Sequence, residues 1–255
     1  MEINGISYSH DGKTMHLKDV TGKIEKHKIT TIIGPNGSGK STLLGILAKN
    51  YLPLKGEVIL DGKQIHQFRP KEFAKKVGVV HQQNSAPADM TVEKLVSFGR
   101  IPYRSFFSNE TEEDKRAIER ALEQTKLLDK RRKPVSALSG GERQRVWIAM
   151  TLAQQTPYLF LDEPTTFLDI YYQYEILELV KQLNREHGLT IVMVLHDMNQ
   201  AIRYSDKILV MKNGQLIAEG DPKTVITEEL IQDVYGIKML IKEDEAGLYT
   251  IPVGI

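Results

Sequence analysis

Gly34-Pro35-Asn36-Gly37-Ser38-Gly39-Lys40-Ser41, followed by Thr42, fits the pattern G-x-x-x-x-G-K-[ST] at every position. The strand-like Ile29-Thr30-Thr31-Ile32-Ile33 precedes it and the helix-like Thr42-Leu43-Leu44-Gly45-Ile46-Leu47-Ala48 follows, which is the setting this pattern requires. Gly34, Gly37 and Gly39 permit backbone angles closed to other residues, so successive N–H groups curl into a concave nest for phosphate oxygens. Lys40 brings a full charge toward the β and γ oxygens, and the helix begun near Ser41 aims its positive end at the same place. The Ser41 hydroxyl suits Mg²⁺. The expected ligand is a nucleoside triphosphate with magnesium; the plainer alternative is a glycine-rich turn that merely joins strand to helix.

Working outward, Tyr158-Leu159-Phe160-Leu161 is an apolar run too short for a helix and delivers Asp162-Glu163. In an open α/β sheet ligands bind at the carboxyl ends of strands, so these acids are expected beside the phosphate loop. Asp162 suits the magnesium shell, and Glu163 suits the orientation and deprotonation of an attacking water. Thr190 to Leu195 is a second such strand and carries His196 and Asp197 at its end; Val77 to Val80 is a third, running into Gln82. Ile3 to Tyr8 reads as a strand, and Ile24 to Ile33 as another entering the loop. The Tyr8 ring either stacks on adenine or packs in the core.

From Asn84 the texture becomes helical, with Ala117, Ala121 and Leu122 on one face. Lys130-Arg131-Arg132-Lys133 stands before Pro134 and reads as a solvated helix C-terminus rather than a nucleic-acid contact. Leu138-Ser139-Gly140-Gly141-Glu142 then opens a helix carrying Val146, Ala149, Met150 and Ala153. It is either a second anion-binding terminus or an ordinary capped helix. A further helix through Ile176, Leu179, Val180 and Leu183 closes at Gly188. Lys207 to Met211 and Gln215 to Glu219 flank an Asn213-Gly214 hairpin turn. Beyond Pro222 the chain reads as short helices and charge.

Composition bounds the remaining classes. The 255 residues suffice for one large α/β domain with an insert. Charged residues are 26% and the formal net charge is +1, so there is no global field to draw in nucleic acid or anionic lipid. Without cysteine, disulfides, thiolate metal sites and cysteine nucleophiles are excluded. Met1-Glu2-Ile3-Asn4 reads as no signal peptide, and no apolar run approaches the ~18 residues that span a bilayer.

The phosphate loop, Gln82, Leu138-Ser139-Gly140-Gly141-Glu142, Asp162-Glu163, Asp169 and His196, in that order, resemble the nucleotide-binding subunit of an ABC transporter. The serine-glycine-glycine helix discriminates, because generic P-loop NTPases lack it. The resemblance implies a P-loop NTPase of α/β class. A RecA-like core sheet with an antiparallel β subdomain would occupy 1–84 and 156–222, an inserted α-helical subdomain 85–155, and a short C-terminal tail 223–255. It implies ATP with Mg²⁺, the metal held by Ser41, Gln82 and Asp162. Nucleotide contacts would come from Gly34, Pro35, Asn36, Gly37, Ser38, Gly39, Lys40, Ser41, Thr42 and Tyr8. In a head-to-tail homodimer, Ser139, Gly140, Gly141 and Asp169 would reach the nucleotide of the opposing copy. Glu163 would be the catalytic base, Gln82 would touch the attacking water, and His196 the γ-phosphate.

The same resemblance implies a separate integral-membrane permease, indirectly an extracytoplasmic substrate-binding protein, and a place at the cytoplasmic face of the cell membrane. No nucleic-acid partner is expected. Phe98-Gly99-Arg100-Ile101-Pro102-Tyr103, Leu195-His196-Asp197-Met198-Asn199-Gln200-Ala201 and the ending around Val234-Tyr235-Gly236 are similar to ATPases of iron-siderophore, haem and cobalamin importers. Rival readings are a zinc or manganese importer, an exporter, a soluble ABC ATPase and a non-hydrolysing nucleotide sensor. Phe167 departs from the family in replacing a small residue, and the segment between Tyr8 and Leu17 is longer than usual.

Overall fold

The computed structural model describes residues 1–105, 109–245 and 247–255. It begins β1 (Glu2–Tyr8), β2 (Leu17–Lys23), β3 (Ile29–Ile33), α1 (Lys40–Leu47), β4 (Lys55–Leu60), β5 (Lys63–Gln64) and α2 (Pro70–Ala74). The middle of the chain forms β6 (Val77–Val80), α3 (Val92–Ser97), α4 (Glu112–Gln124), α5 (Gly140–Ala153), β7 (Tyr158–Leu161) and α6 (Ile170–His187). Then follow β8 (Thr190–Val194), α7 (Met198–Tyr204), β9 (Lys207–Lys212), β10 (Gln215–Gly220), α8 (Pro222–Val225), α9 (Glu228–Tyr235), β11 (Lys238–Asp244) and β12 (Gly247–Gly254). These elements divide into one unit of Met1–Phe68 with Thr190–Ile255 and a second of Arg69–Leu189.

In the first unit β3 lies between β8 and β9, parallel to both, with Ile32 opposite Val194 on one side and Leu209 on the other. Every residue of β3 and β8 is buried, which is why both read as unbroken apolar or threonine runs rather than alternating ones. The parallel register sends Gly34 and His196 off the same edge. β9 reverses through Asn213-Gly214, at φ 50° and 82°, into antiparallel β10. A second, antiparallel sheet has the order β2-β1-β4-β5. The run Ile24 to Ile33 is not one strand: His27 sits at φ 62° and breaks it, so β3 starts only at Ile29 and β2 precedes the turn. The tail also holds more than helices. β11 and β12 form a hairpin, tied to α7 where the Thr250 N–H donates to Asn199 Oδ1 at 2.7 Å.

The second unit pairs β6 and β7 in parallel, Val80 opposite Leu161. Helices α3, α4 and α5 enclose their own apolar core, with Leu95, Leu122, Val146 and Ala149 buried in it. Beside that core Arg100 is 1% exposed. Its Nε donates to Asp114 Oδ1 at 2.8 Å, its Nη1 donates to the Ala153 carbonyl and Gln155 Oε1, and its guanidinium lies 3.9 Å from the Tyr103 ring centroid. The basic run Lys130 to Lys133 ends not α4, which stops at Gln124, but a short 3-10 turn over Leu128–Lys130, with Arg131 as its C-cap. Lys130 instead pairs with Glu142 and Arg131 with Glu93, so half of that charge is used locally.

Candidate active site

The phosphate loop leaves β3 at Gly34 and enters α1 through Gly39. Gly34, Gly37 and Gly39 have φ of 149°, 76° and 100°. At Gly34 space forbids a side chain as well, because a Cβ would lie 2.2 Å from the Met211 carbonyl oxygen. Lys40 is buried and curls back over its own loop, its Nζ donating to the Gly34 and Pro35 carbonyls at 2.8 and 3.0 Å. The Ser38 hydroxyl is buried there without a hydrogen-bond partner. No acidic residue occupies the first turn of α1, so its positive end is not cancelled by the chain itself. These are the properties of an anion cradle. His196, exposed, follows β8 on the edge from which the loop departs, and Asp197 beside it caps α7 by accepting the Gln200 N–H at 2.7 Å. The Tyr8 ring stacks on Tyr51 at 5.4 Å between centroids and 26° between planes, and its hydroxyl lies 3.1 Å from His10 Nδ1.

In the second unit Asp162 and Glu163 emerge from β7, and the Asp162 N–H donates to the Val80 carbonyl at 2.9 Å. That bond brings the end of β6, and so Gln82, alongside. Gln82 Nε2 donates to Glu163 Oε2 at 2.6 Å, and Thr166 Oγ1 to the same oxygen at 3.1 Å. Glu163 has φ 51°, a left-handed conformation that a residue with a Cβ adopts at a cost of about 1–2 kcal/mol. Asp19 and Asp61 share this conformation, so what sets Glu163 apart is the pair of donors on its carboxylate.

Ser139 heads α5 with a capping box. Its Oγ accepts the Glu142 N–H at 3.3 Å while Glu142 Oε2 accepts the Ser139 N–H at 2.9 Å. The first-turn N–H groups of Gly140 and Gly141 have no helical carbonyl to meet. Gly141 is required by close approach as well, since a Cβ there would sit 2.4 Å from Tyr172 Cδ1. Asp169 caps α6, accepting the Tyr172 N–H at 3.1 Å.

A phosphate cradle, a strained and doubly anchored carboxylate, and a capped Ser-Gly-Gly helix thus occur in one chain. The family model described as ABC transporter matches residues 17–166. The chain belongs to the ABC transporter family.

As an ABC ATPase it is 44% identical over 233 residues to the ferric enterobactin transport ATP-binding protein FepC of Escherichia coli, covering 91% of this chain and 86% of that one. It is 45% identical over 240 residues to the iron(3+)-hydroxamate import ATP-binding protein FhuC of Bacillus subtilis, with 94% and 88% covered. The petrobactin import ATP-binding protein FpuC of Bacillus anthracis is 44% identical over 94% of this chain and 88% of its own length. Among solved structures, the dimeric ABC transporter cassette MJ0796 superposes with a TM-score of 0.76 at 31% identity, covering 87% of this chain and 98% of that one. The α/β P-loop NTPase fold follows from the same likeness.

Some contacts around these residues carried no sequence signal. Thr166 reads as an ordinary loop threonine until its hydroxyl is seen on Glu163. Lys130 looked like solvated charge, yet the Lys130 ammonium and the Ser139 N–H hold the Glu142 carboxyl down to about 2, fixing the cap of α5. The contact of Tyr172 with Gly141 joins residues with no periodic relation.

Proposed function

We propose that this ABC ATPase powers the import of iron-siderophore complexes through a separate membrane permease. The observation that carries the reading is 44–45% identity, over 91–94% of the chain, to enterobactin, petrobactin and hydroxamate transport ATP-binding proteins. In this reading the nest from Gly34 to Thr42, Tyr8 and Lys40 bind ATP. Glu163 takes the proton of a water whose oxygen attacks the γ-phosphorus, while the bond to the leaving ADP oxygen breaks and inorganic phosphate departs. Gln82 and Thr166 hold the Glu163 carboxylate in one rotamer. His196 steadies the γ-phosphate. Ser139, Gly140, Gly141 and Asp169 serve the nucleotide of a second copy, so that ATP favours a closed homodimer and hydrolysis reopens it.

No cluster of three or more histidine, aspartate or glutamate side chains among the described residues makes a metal cage. A hydroxyl, an amide and a carboxylate, Ser41, Gln82 and Asp162, instead fit an ion that takes most of its oxygens from phosphates and water, as Mg²⁺ does. Bound there, it would neutralise charge on the phosphate oxygens. No helix of the described residues is long and apolar enough to cross a membrane. Residence at the cytoplasmic face of the cell membrane would then come through the permease, with an extracytoplasmic binding protein delivering cargo on the other side.

Reconstitution in lipid with a candidate permease and binding protein tests the assignment. Ferric siderophore loaded on the binding protein is expected to stimulate ATP hydrolysis. Stimulation by zinc- or manganese-loaded protein alone would transfer the chain to the metal-ion importers.

A further inference from the structure

Ser139 and Asp169 open different helices, α5 and α6, yet the side chains behind them meet at matching depths. Arg145 stands six residues after the Ser139 cap and Glu175 six after the Asp169 cap, and Arg145 Nη1 donates to Glu175 Oε1 at 2.6 Å. Nearer the helix starts, Gly141 meets the Tyr172 ring, and a Cβ at Gly140 would lie 3.4 Å from Leu168 Cδ2. Contacts that advance along both helices together mean that α5 and α6 run in the same general direction, with Ser139 and Asp169 abreast at one end. Ahead of Asp169 the turn is stiffened by Gln173 Nε2, which donates to the Leu168 carbonyl at 2.9 Å. All of these residues lie within one unit.

That arrangement opposes itself electrically. The dipoles of neighbouring helices that run the same way place their positive ends together, and those ends repel. Glu142 offsets this in the first turn of α5, whereas the first turn of α6 carries no acid. Nor does apolar packing close the junction, because a cleft of about 360 Å³, bounded by Tyr171, Tyr174 and Leu179, opens beside the ion pair. The pair is largely buried, and Arg145 Nε and Glu175 Oε2 have no hydrogen-bond partner. A bridge so incompletely satisfied adds little net stability, since desolvation offsets the attraction. What it does supply is direction: a guanidinium on a carboxylate at this distance admits one relative placement of the two helices.

We propose that Arg145 and Glu175 are positioning residues, which lock α5 to α6 so that Ser139 and Asp169 face the nucleotide of the second copy as one rigid surface. The inference rests on the reading that those two residues serve the opposing nucleotide, and adds what keeps them aligned.

The test uses the purified full chain, at a temperature where circular dichroism shows each variant folded. In Arg145→Met/Glu175→Met an apolar pair replaces the ionic one, a change that commonly preserves stability while removing the directional bond. The protein concentration giving half-maximal specific ATPase activity should rise about tenfold, and kcat at saturating protein and ATP should fall about tenfold. The Kd for ATP should stay within about twofold, because the phosphate loop lies on other elements. A purely structural pair would leave both the half-maximal concentration and kcat at their wild-type values once the chain is folded, and that result overturns the proposal. A change confined to the Kd for ATP overturns it equally. Should the double variant fail to fold, Glu175→Asp, shorter by one methylene, decides the matter by the same readouts. Ser139→Asp, which keeps a helix cap and adds a negative charge, is run in parallel. If it hydrolyses ATP as wild type does, the reading of Ser139 fails and the proposal with it; if it loses activity while the paired methionines do not, only the role of Arg145 and Glu175 falls.

Discussion

Gln82 and Glu163, from the ends of adjacent parallel strands, share a hydrogen bond of 2.6 Å from the amide to the carboxylate. The amide can point a carboxylate but cannot replace it as a proton acceptor. Glu163→Gln should therefore keep ATP affinity within about threefold while steady-state phosphate release falls at least about a hundredfold. Gel filtration with ATP should show the variant as a dimer. A monomer with undiminished turnover would remove Glu163 from the chemistry.

Gln82→Ala should behave differently. It leaves the Glu163 carboxylate in place and releases one of its two tethers, so on the proposed role of Glu163 a fall in kcat of about tenfold with little change in ATP Kd is expected. Single-turnover hydrolysis separates this from a binding defect.

Gly141 and Tyr172 form a size-matched pair, because a methyl group on Gly141 would lie 2.4 Å from the ring. Gly141→Ala should cost about 1–3 kcal/mol by overpacking. Adding Tyr172→Ala should recover much of that loss, and thermal melts of the single and double variants measure the coupling.

Arg100→Met leaves buried Asp114 to the longer ion pair with Arg104 Nε, at 3.6 Å, and should cost about 3 kcal/mol near neutral pH, the low end for a broken buried pair. Burial pushes the Asp114 carboxyl up, but the bonds from Arg100 and Thr111 outweigh it and hold the group down at about 2, below its ordinary 3.8. In the native protein the stability from this depression is full above that ordinary value and is lost as pH falls through about 2. The penalty of the variant should shrink over the same range, since a protonated Asp114 no longer needs a cation. Urea melts at pH 7 and at pH 3 check the sign.

The elements legible in the sequence were those whose local pattern and global role agree. β3, β7 and β8 are buried along their whole length, so their apolar runs reported them directly. Ser139 and Glu142 announced α5 because a capping box is a contact between near neighbours. β2 was hidden because its pairing with β1 shifts register between Ile3 and Ile6 and again before Tyr8, which spoils the alternation of Leu17 and Val20. The β11-β12 hairpin was hidden because Lys238 to Asp244 buries none of its residues fully. Arg100 was legible only as part of the run Phe98 to Tyr103; its burial depends on Asp114, Ala153 and Gln155, which are distant in sequence. The sequence left Tyr8 between adenine stacking and core packing, and gave no sign of its stacking on Tyr51.

Lys40 already spends its donors on the Gly34 and Pro35 carbonyls. An incoming phosphate therefore exchanges one set of acceptors for another around an ammonium that is already seated. The ammonium is thus held in place by the loop's own carbonyls, so that binding at it would be a substitution of acceptors rather than the capture of a loose side chain.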